Sequence, residues 1–128
     1  MKYIIMLLII IGLVIADFAT GFIKAYCTDS VESSKMRKGG LNKIGEIIVM
    51  SAACGLDIGI KLLGHYYQSA ELAGIAGAVT ATAVFIYIVT MELVSILENF
   101  AAINPEAAWV ARIIKRLKNI NGDRKDNE

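Results

Sequence analysis

The sequence contains few of the residues from which catalytic and metal sites are usually built. It has one histidine, two cysteines and one proline among 128 residues, and it lacks a glycine-rich phosphate-binding loop. Cys27 lies in a basic segment and Cys54 in an apolar one, so we expect free thiols and no disulfide framework. His65 stands beside tyrosines at the end of an apolar segment, where an interfacial residue is more typical than a metal ligand. We therefore predict no enzyme activity, no metal site and no cofactor.

Charged residues are missing from long stretches of the chain. Apolar residues make up 56% of the sequence and charged residues 20%, which leaves more apolar surface than a soluble domain of this length can bury. Three apolar segments are each long enough to cross a hydrocarbon core of about 30 Å as a helix, which takes about 20 residues. They cover about 3–23, 44–64 and 72–97. The sequence predicts a single all-α integral membrane domain with three transmembrane helices.

The middle segment is the least apolar of the three, and its charges fall on one side. At about 100° per residue, Glu46, Asp57 and Lys61 share one stripe of the helix. Asp57 and Lys61 are four residues apart and can pair. Pairing lowers the cost of placing each charge in a membrane, which is about 2.5–3.5 kcal/mol on insertion scales. Such a stripe suits a helix in a bundle or a pore, and Glu46, Asp57 and Lys61 are the candidates for lining a pore, with Asp57 and Lys61 the strongest.

The carboxylates near span ends also have a simpler explanation. Asp17, Glu46, Glu92 and Glu98 lie close enough to the predicted cytoplasmic ends for their side chains to reach headgroup water. For Glu46 this explanation and a pore role both stay open. A proton relay is a rival function, but a relay normally needs a chain of carboxylates across the middle of the membrane.

Small residues recur along all three segments, often at a spacing of four. Such spacing lets helix backbones approach closely in a membrane, where association depends on packing. The candidate packing residues are Gly12, Ala16, Gly55, Gly59, Ala73, Gly77 and Ala81. The alternative is that glycine and alanine are simply frequent in membrane helices. The packing interpretation predicts that the chain associates with copies of itself in the lipid bilayer.

A basic amphipathic helix is predicted over 105–118, after the third span. Asn104 and Pro105 form a typical helix start, and the residues that follow separate into an apolar and a basic side. We expect these residues at an anionic membrane surface: Trp109, Arg112, Lys115, Arg116 and Lys118. The alternative is a cytoplasmic helix packed on the bundle. The polar tail, 119–128, is expected to be disordered.

The distribution of basic residues predicts the orientation. Lys and Arg near span ends remain in the cytoplasm. The segment between the first two spans carries five of them and the tail carries six, whereas the segment between the second and third spans has none. We predict the N-terminus outside and the C-terminus inside, and no nucleic-acid partner, because the membrane already accounts for the basic residues. A competing interpretation is a signal peptide cleaved near Ala16.

Four motifs occur in a familiar order. The first span ends in DFATGFIKA at 17–25, a basic SSKMRKGGLNK stretch occupies 33–43, Asp57 lies in the second span, and ELVSILEN at 92–99 is near the end of the third. Together they resemble the toxin secretion/phage lysis holins, a phage holin family, from Asp17 to about Leu117. One departure is the stretch 101–104 before the proline, where the resemblance leads us to expect a glycine. The positions that carry the family motif are Asp17, Gly21, Glu92, Ser95, Glu98 and Asn99.

The resemblance implies a function that the residues alone do not. Holins collect in the bacterial cytoplasmic membrane and oligomerise abruptly into lesions that let an endolysin reach the peptidoglycan. Relatives encoded near toxin genes are implicated in the release of large toxins. We therefore expect a multi-pass homo-oligomer functionally linked to an endolysin or a toxin. Two other functions stay open, a non-lytic membrane scaffold or accessory subunit and a small ion channel or transporter.

Overall fold

The structure is a computed structural model that describes residues 1–66 and 68–122. Over these residues the chain forms four helices and no strand: α1 (Lys2–Cys27), α2 (Ser33–Tyr66), α3 (Ala70–Ile103) and α4 (Ala108–Gly122). Three of them, α1, α2 and α3, are long and apolar enough to cross a membrane. The prediction of an all-α fold with three membrane-spanning helices is confirmed.

The helices extend beyond the predicted spans, most of all at the start of α2. This helix begins at Ser33, so the basic stretch 33–43, which lies between the first two predicted spans, forms the first turns of α2. The extra turns have partners on α1, because Gly40 approaches the Phe18 ring and Lys43 forms an ion pair with Asp17. A helix of 34 residues is about 50 Å long at 1.5 Å per residue, longer than a hydrocarbon core of about 30 Å.

α3 lies at the centre of the packing. It contacts each of the other three helices, and α1 and α2 also contact each other. The buried apolar core between α1, α2 and α3 consists of Ile10, Val14, Met50, Cys54 and Ile88. Cys54 is buried and Cys27 is exposed, and both are free thiols, as the sequence predicts.

The outer surface of the bundle is largely apolar. Large aliphatic side chains are exposed along all three long helices, among them Leu8, Ile15, Ile48, Leu62, Leu72 and Ile75. Exposing a continuous apolar surface of this kind to water is unfavourable, whereas exposing it to the hydrocarbon of a bilayer is not. The exposed aliphatic surface therefore agrees with the membrane assignment from hydropathy.

The junction between α3 and α4 differs from the predicted helix start at Pro105. Asn104 ends α3, with its N–H donating to the Phe100 carbonyl oxygen at 2.8 Å, and α4 begins only at Ala108. Asn104 has φ −129° and ψ 83°, since a residue before proline is disfavoured from the helical conformation. The asparagine therefore closes one helix instead of opening the next.

α4 packs on α3 through one side. Val110 is fully buried, the Trp109 and Phe100 rings lie 6.2 Å apart, and Lys118 pairs with Glu98 at 2.5 Å. Arg112, Lys115 and Arg116 remain exposed. The helix continues to Gly122, so 119–122, expected to be disordered, are helical; the rest of the predicted tail, 123–128, lies outside the described residues.

Candidate functional site: two buried charge clusters

A single lysine joins the three long helices. The Lys43 ammonium of α2 lies 2.9 Å from Asp17 Oδ2 of α1 and 3.7 Å from Glu46 Oε1 on its own helix. It also donates a hydrogen bond to Glu92 Oε1 of α3. We call Asp17, Lys43, Glu46 and Glu92 the Lys43 cluster. Because Lys43 pairs with Asp17 of α1 and with Glu92 of α3, moving either helix away from α2 breaks an ion pair.

Asn99 extends this network between α1 and α3. Its Nδ2 donates to Asp17 Oδ1 at 3.1 Å and to Thr20 Oγ1 at 3.3 Å. A Cβ added at Gly21 would lie 3.5 Å from the same nitrogen, so the two helices are close here. Four of the family-motif positions, Asp17, Gly21, Glu92 and Asn99, therefore meet in one place. Ser95 is half-buried on the same helix, and Glu98 points instead to Lys118.

The simple explanation through headgroup water is wrong for two of the carboxylates. Asp17 is only 6% exposed and Glu92 only 1%. Lys43, which we assigned to the basic segment between spans, is the partner that sequence reasoning missed. The available signal was its position three residues before Glu46, which places both side chains on one side of α2.

The second cluster lies near the opposite ends of the helices. Tyr3 of α1 donates its hydroxyl hydrogen to Asp57 Oδ2, and the Lys61 ammonium donates to the Tyr3 hydroxyl oxygen at 2.7 Å. Lys61 is also 3.5 Å from Asp57 Oδ1, and Lys2 is 3.7 Å from Asp57 Oδ2. We call Lys2, Tyr3, Asp57 and Lys61 the Asp57 cluster. The pairing expected for Asp57 and Lys61 is present, whereas the contributions of Lys2 and Tyr3 were missed.

Gly77 allows α3 to approach Asp57 directly. A Cβ added at this glycine would lie 2.5 Å from Asp57 Oδ1 and 2.8 Å from the Asp57 Cα atom. Asp57 is 0% exposed, so any larger residue at position 77 has to push the two helices apart. Ala81, one turn further along α3, is also fully buried. These two packing candidates serve contacts within the chain.

Other packing candidates face outward. A Cβ added at Gly12, Gly55 or Gly59 would meet no atom within 4 Å. Ala16 and Ala73 are half-buried. The glycine candidates therefore divide into Gly77, which contacts α2, and Gly12, Gly55 and Gly59, which lie on open surfaces of α1 and α2.

The predicted pore stripe of α2 faces the interior of the single chain. Asp57 is enclosed by α1 and α3, and Glu46 and Lys61 are partly buried at either end of the stripe. The apolar core, which includes Met50 and Cys54, lies between the two clusters. The charged groups therefore form two separate sites and not a continuous row. A cavity of about 270 Å³ opens beside the Lys43 cluster, with the Phe18 and Phe22 rings in its wall.

Comparison with known families decides which class of protein this is. The bacteriophage holin family matches residues 2–119, nearly the whole described chain. The chain belongs to the bacteriophage holin family. No curated protein and no solved structure matches the chain significantly. With three helices able to cross a bilayer, it is a holin-type, multi-pass membrane protein, and its family is not an enzyme family. Among the described residues of this holin, no group of three His, Cys, Asp or Glu side chains is arranged to hold a metal ion.

Proposed function

We propose that the chain assembles as a homo-oligomer in the bacterial cytoplasmic membrane and opens lesions that release an endolysin or a large toxin. The observation that carries the proposal is the match to the bacteriophage holin family over 2–119, on a fold with three membrane-spanning helices. Lesion formation also requires a way for copies to associate and a source of polar lining. The chain offers a candidate for each.

The outward glycines are the candidates for association. Gly55 and Gly59 lie four residues apart on α2 with open space above them, and Gly12 is similarly open on α1. Small residues at this spacing allow a second helix to pack against the backbone in lipid. We infer that these surfaces meet the same surfaces of neighbouring copies, which leaves the contacts of Gly77 and Ala81 within each chain intact during the first association.

The polar lining would come from the charged stripe of α2. In the closed chain Asp57 is held by Tyr3, Lys2 and Lys61 and contacts Gly77. A lumen-facing Asp57 therefore requires α1 or α3 to move away from α2, after which water replaces the lost partners. This change converts a chain that hides its charges into one that presents Glu46, Asp57 and Lys61 to a water-filled lumen.

We also propose an orientation. With the N-terminus outside and the C-terminus inside, the Lys43 cluster lies at the cytoplasmic ends of the helices and the Asp57 cluster at the opposite ends. α4 then lies on the cytoplasmic side, where its exposed Arg112, Lys115 and Arg116 can contact anionic headgroups. Its packing on α3 is compatible with this contact, because Val110 is buried while Trp109 is half-exposed.

Induced expression in a bacterial host tests the proposal. The chain should stop growth, and lysis should follow when an endolysin is expressed with it and not when either protein is expressed alone. In a separate measurement, vesicles that contain the purified chain should release a folded reporter enzyme. Normal growth with endolysin present would favour a scaffold or accessory subunit. Ion conductance without release of the enzyme would favour a small channel. Either result contradicts the proposal.

A further inference from the structure

The Lys43 cluster has more carboxyl groups than it has cations. Asp17, Glu46 and Glu92 all lie within ion-pair distance of one ammonium, that of Lys43. If all three carboxyl groups were ionised, two negative charges would be uncompensated inside the bundle. Such a charge is strongly unfavourable where water is excluded, and a buried carboxyl group takes up a proton when no cation is available.

Two oxygen atoms in the cluster also lack a hydrogen-bond donor. Glu46 Oε2 and Glu92 Oε2 are buried, and neither has a hydrogen-bond partner. The Oε1 atoms of both carboxyl groups lie around the same Lys43 ammonium, so the two groups are neighbours across the contact between α2 and α3. Two ionised carboxylates have only acceptors and repel each other, whereas a carboxylic acid and a carboxylate form a strong hydrogen bond. One proton would therefore satisfy both orphan oxygens and remove one of the excess charges.

We propose that the Glu46–Glu92 pair is a proton-binding site, occupied in the closed chain, that ties α2 to α3. The ligand is a single proton shared between the two carboxyl groups. Two negative charges then remain, one on Asp17 and one on the glutamate pair, and the Lys43 ammonium compensates one of them. The Asp57 cluster has the opposite balance, since Lys2 and Lys61 face one carboxylate. The site is independent of whether the chain forms lesions.

The proposal predicts how the closed chain responds to pH. The charged groups that face the pair are Asp17 from α1 and Lys43 from α2, and Lys24, Glu32 and Lys35 line the adjacent cavity. When α2 and α3 separate, water reaches both carboxyl groups and the shared proton is released. The closed chain binds one proton more than the separated state, so its stability falls as the pH rises.

Infrared spectroscopy of the full-length chain in phosphatidylglycerol–phosphatidylcholine vesicles tests the site. The C=O stretching band of a protonated carboxylic acid should be present at neutral pH and disappear in alkaline buffer. Glu46→Gln and Glu92→Gln each replace one carboxyl group by an amide that supplies the missing donor, so each should abolish the band at neutral pH. Glu98→Gln is the matched control and should retain it, because Glu98 is exposed and paired with Lys118.

The same spectra contain the results that would overturn the proposal. Absence of the band from the wild-type chain at neutral pH would do so, as would a band that persists in both glutamine variants. If the band is lost in Asp17→Asn and kept in both glutamine variants, the proton belongs to Asp17, and this result also contradicts the proposal. Circular dichroism checks that each variant is helical; if one unfolds, the other and the wild-type spectrum decide. In detergent, the pH dependence of unfolding should be lost in the same two variants and retained in Glu98→Gln.

Discussion

Tyr3, in the first turn of α1, donates its hydroxyl hydrogen to the carboxylate of Asp57 in α2, and the same hydroxyl oxygen accepts a hydrogen bond from Lys61. The tyrosine thus stands between an acid and a base that are four residues apart. Its ring lies against the apolar core. A side chain from the start of the chain therefore supplies the hydrogen bond that Asp57 accepts, in addition to the ion pairs of Asp57 with Lys2 and Lys61.

Removing the Tyr3 hydroxyl should weaken the closed bundle. Tyr3→Phe keeps the ring but removes the hydroxyl hydrogen that the buried Asp57 Oδ2 accepts, at a cost of about 1–3 kcal/mol in the free energy of unfolding. The measurement is denaturation in mixed detergent micelles, followed by circular dichroism. Tyr26→Phe is the control, because Tyr26 is 73% exposed, and its effect should be near zero. Equal losses in the two variants would contradict the role assigned to Tyr3.

A methyl group at position 77 should separate α2 from α3. Alanine is normally better than glycine in a helix by about 1 kcal/mol, but a Cβ at Gly77 would collide with the Asp57 backbone. We expect Gly77→Ala to lower the free energy of unfolding by about 1–3 kcal/mol. Gly12→Ala, on an open surface, should leave it unchanged or raise it by up to about 1 kcal/mol. Stabilisation by both substitutions would mean that the helices are not in contact at Gly77.

The Lys43 ammonium should contribute far more to the free energy of unfolding than the ammonium of an exposed lysine does. Lys43→Met leaves Asp17 and Glu92 buried without their cation, and loss of one partner of a buried ion pair costs about 3–5 kcal/mol. Lys35→Met is the control. Lys35 also pairs with an acid, Glu32, but its side chain is 73% exposed, so the cost should be about 0–1 kcal/mol. Chemical denaturation of both variants measures the difference, and similar values would contradict the clustering of charge at Lys43.

Bulky residues on the open surface of α2 should block association and spare the single chain. Gly55→Leu and Gly59→Leu fill space that is empty in the closed chain, so oligomers trapped by chemical cross-linking in membranes should fall at least several-fold while helicity is kept. Ile58→Leu is a volume-conserving control on an exposed position of the same helix. Undiminished cross-linking in the leucine variants would place the contact between copies elsewhere.

Thiol labelling should report the proposed rearrangement of α2. In a background with Cys27→Ser and Cys54→Ala, a membrane-impermeant reagent should react with Leu56→Cys and Asp57→Cys to different extents. In the closed chain Asp57 is enclosed and Leu56 is half-exposed on the outer surface of the bundle, which we expect to face lipid, so neither position should meet water. After lysis begins, position 57 should label more strongly than position 56. Labelling of position 57 no greater than that of position 56 would rule out a lumen lined by this stripe.

Hydropathy was sufficient to predict the number and approximate position of the membrane-spanning helices. It reports how well a segment suits hydrocarbon, and the three long apolar segments differ clearly from the rest of the chain. It could not locate the start of α2, because residues 33–43 are polar and their contacts with α1 involve residues distant in sequence. The Asn104-Pro105 pair predicted a helix start at Pro105, where the restriction on Asn104 instead ends α3.

Most partners of the buried charges could not be predicted from local sequence patterns, for a related reason. The pairing of Asp57 with Lys61 follows from a spacing of four in one helix. The pairing of Lys43 with Asp17 and Glu92, and of Tyr3 with Asp57, joins residues that are distant in sequence. Hydropathy indicates that a charge needs a partner inside a membrane, and the antiparallel register of the helices determines which partner is within reach.

The two charge clusters hold α1 at two points, Tyr3 and Asp17, which are about 21 Å apart along the helix axis at 1.5 Å per residue. A helix attached at one end can tilt away from its neighbour. A helix attached near both ends cannot do so until one attachment is released. Moving α1 away from α2 therefore requires the polar contacts near both of its ends to break, and breaking one set alone leaves the helix attached at the other.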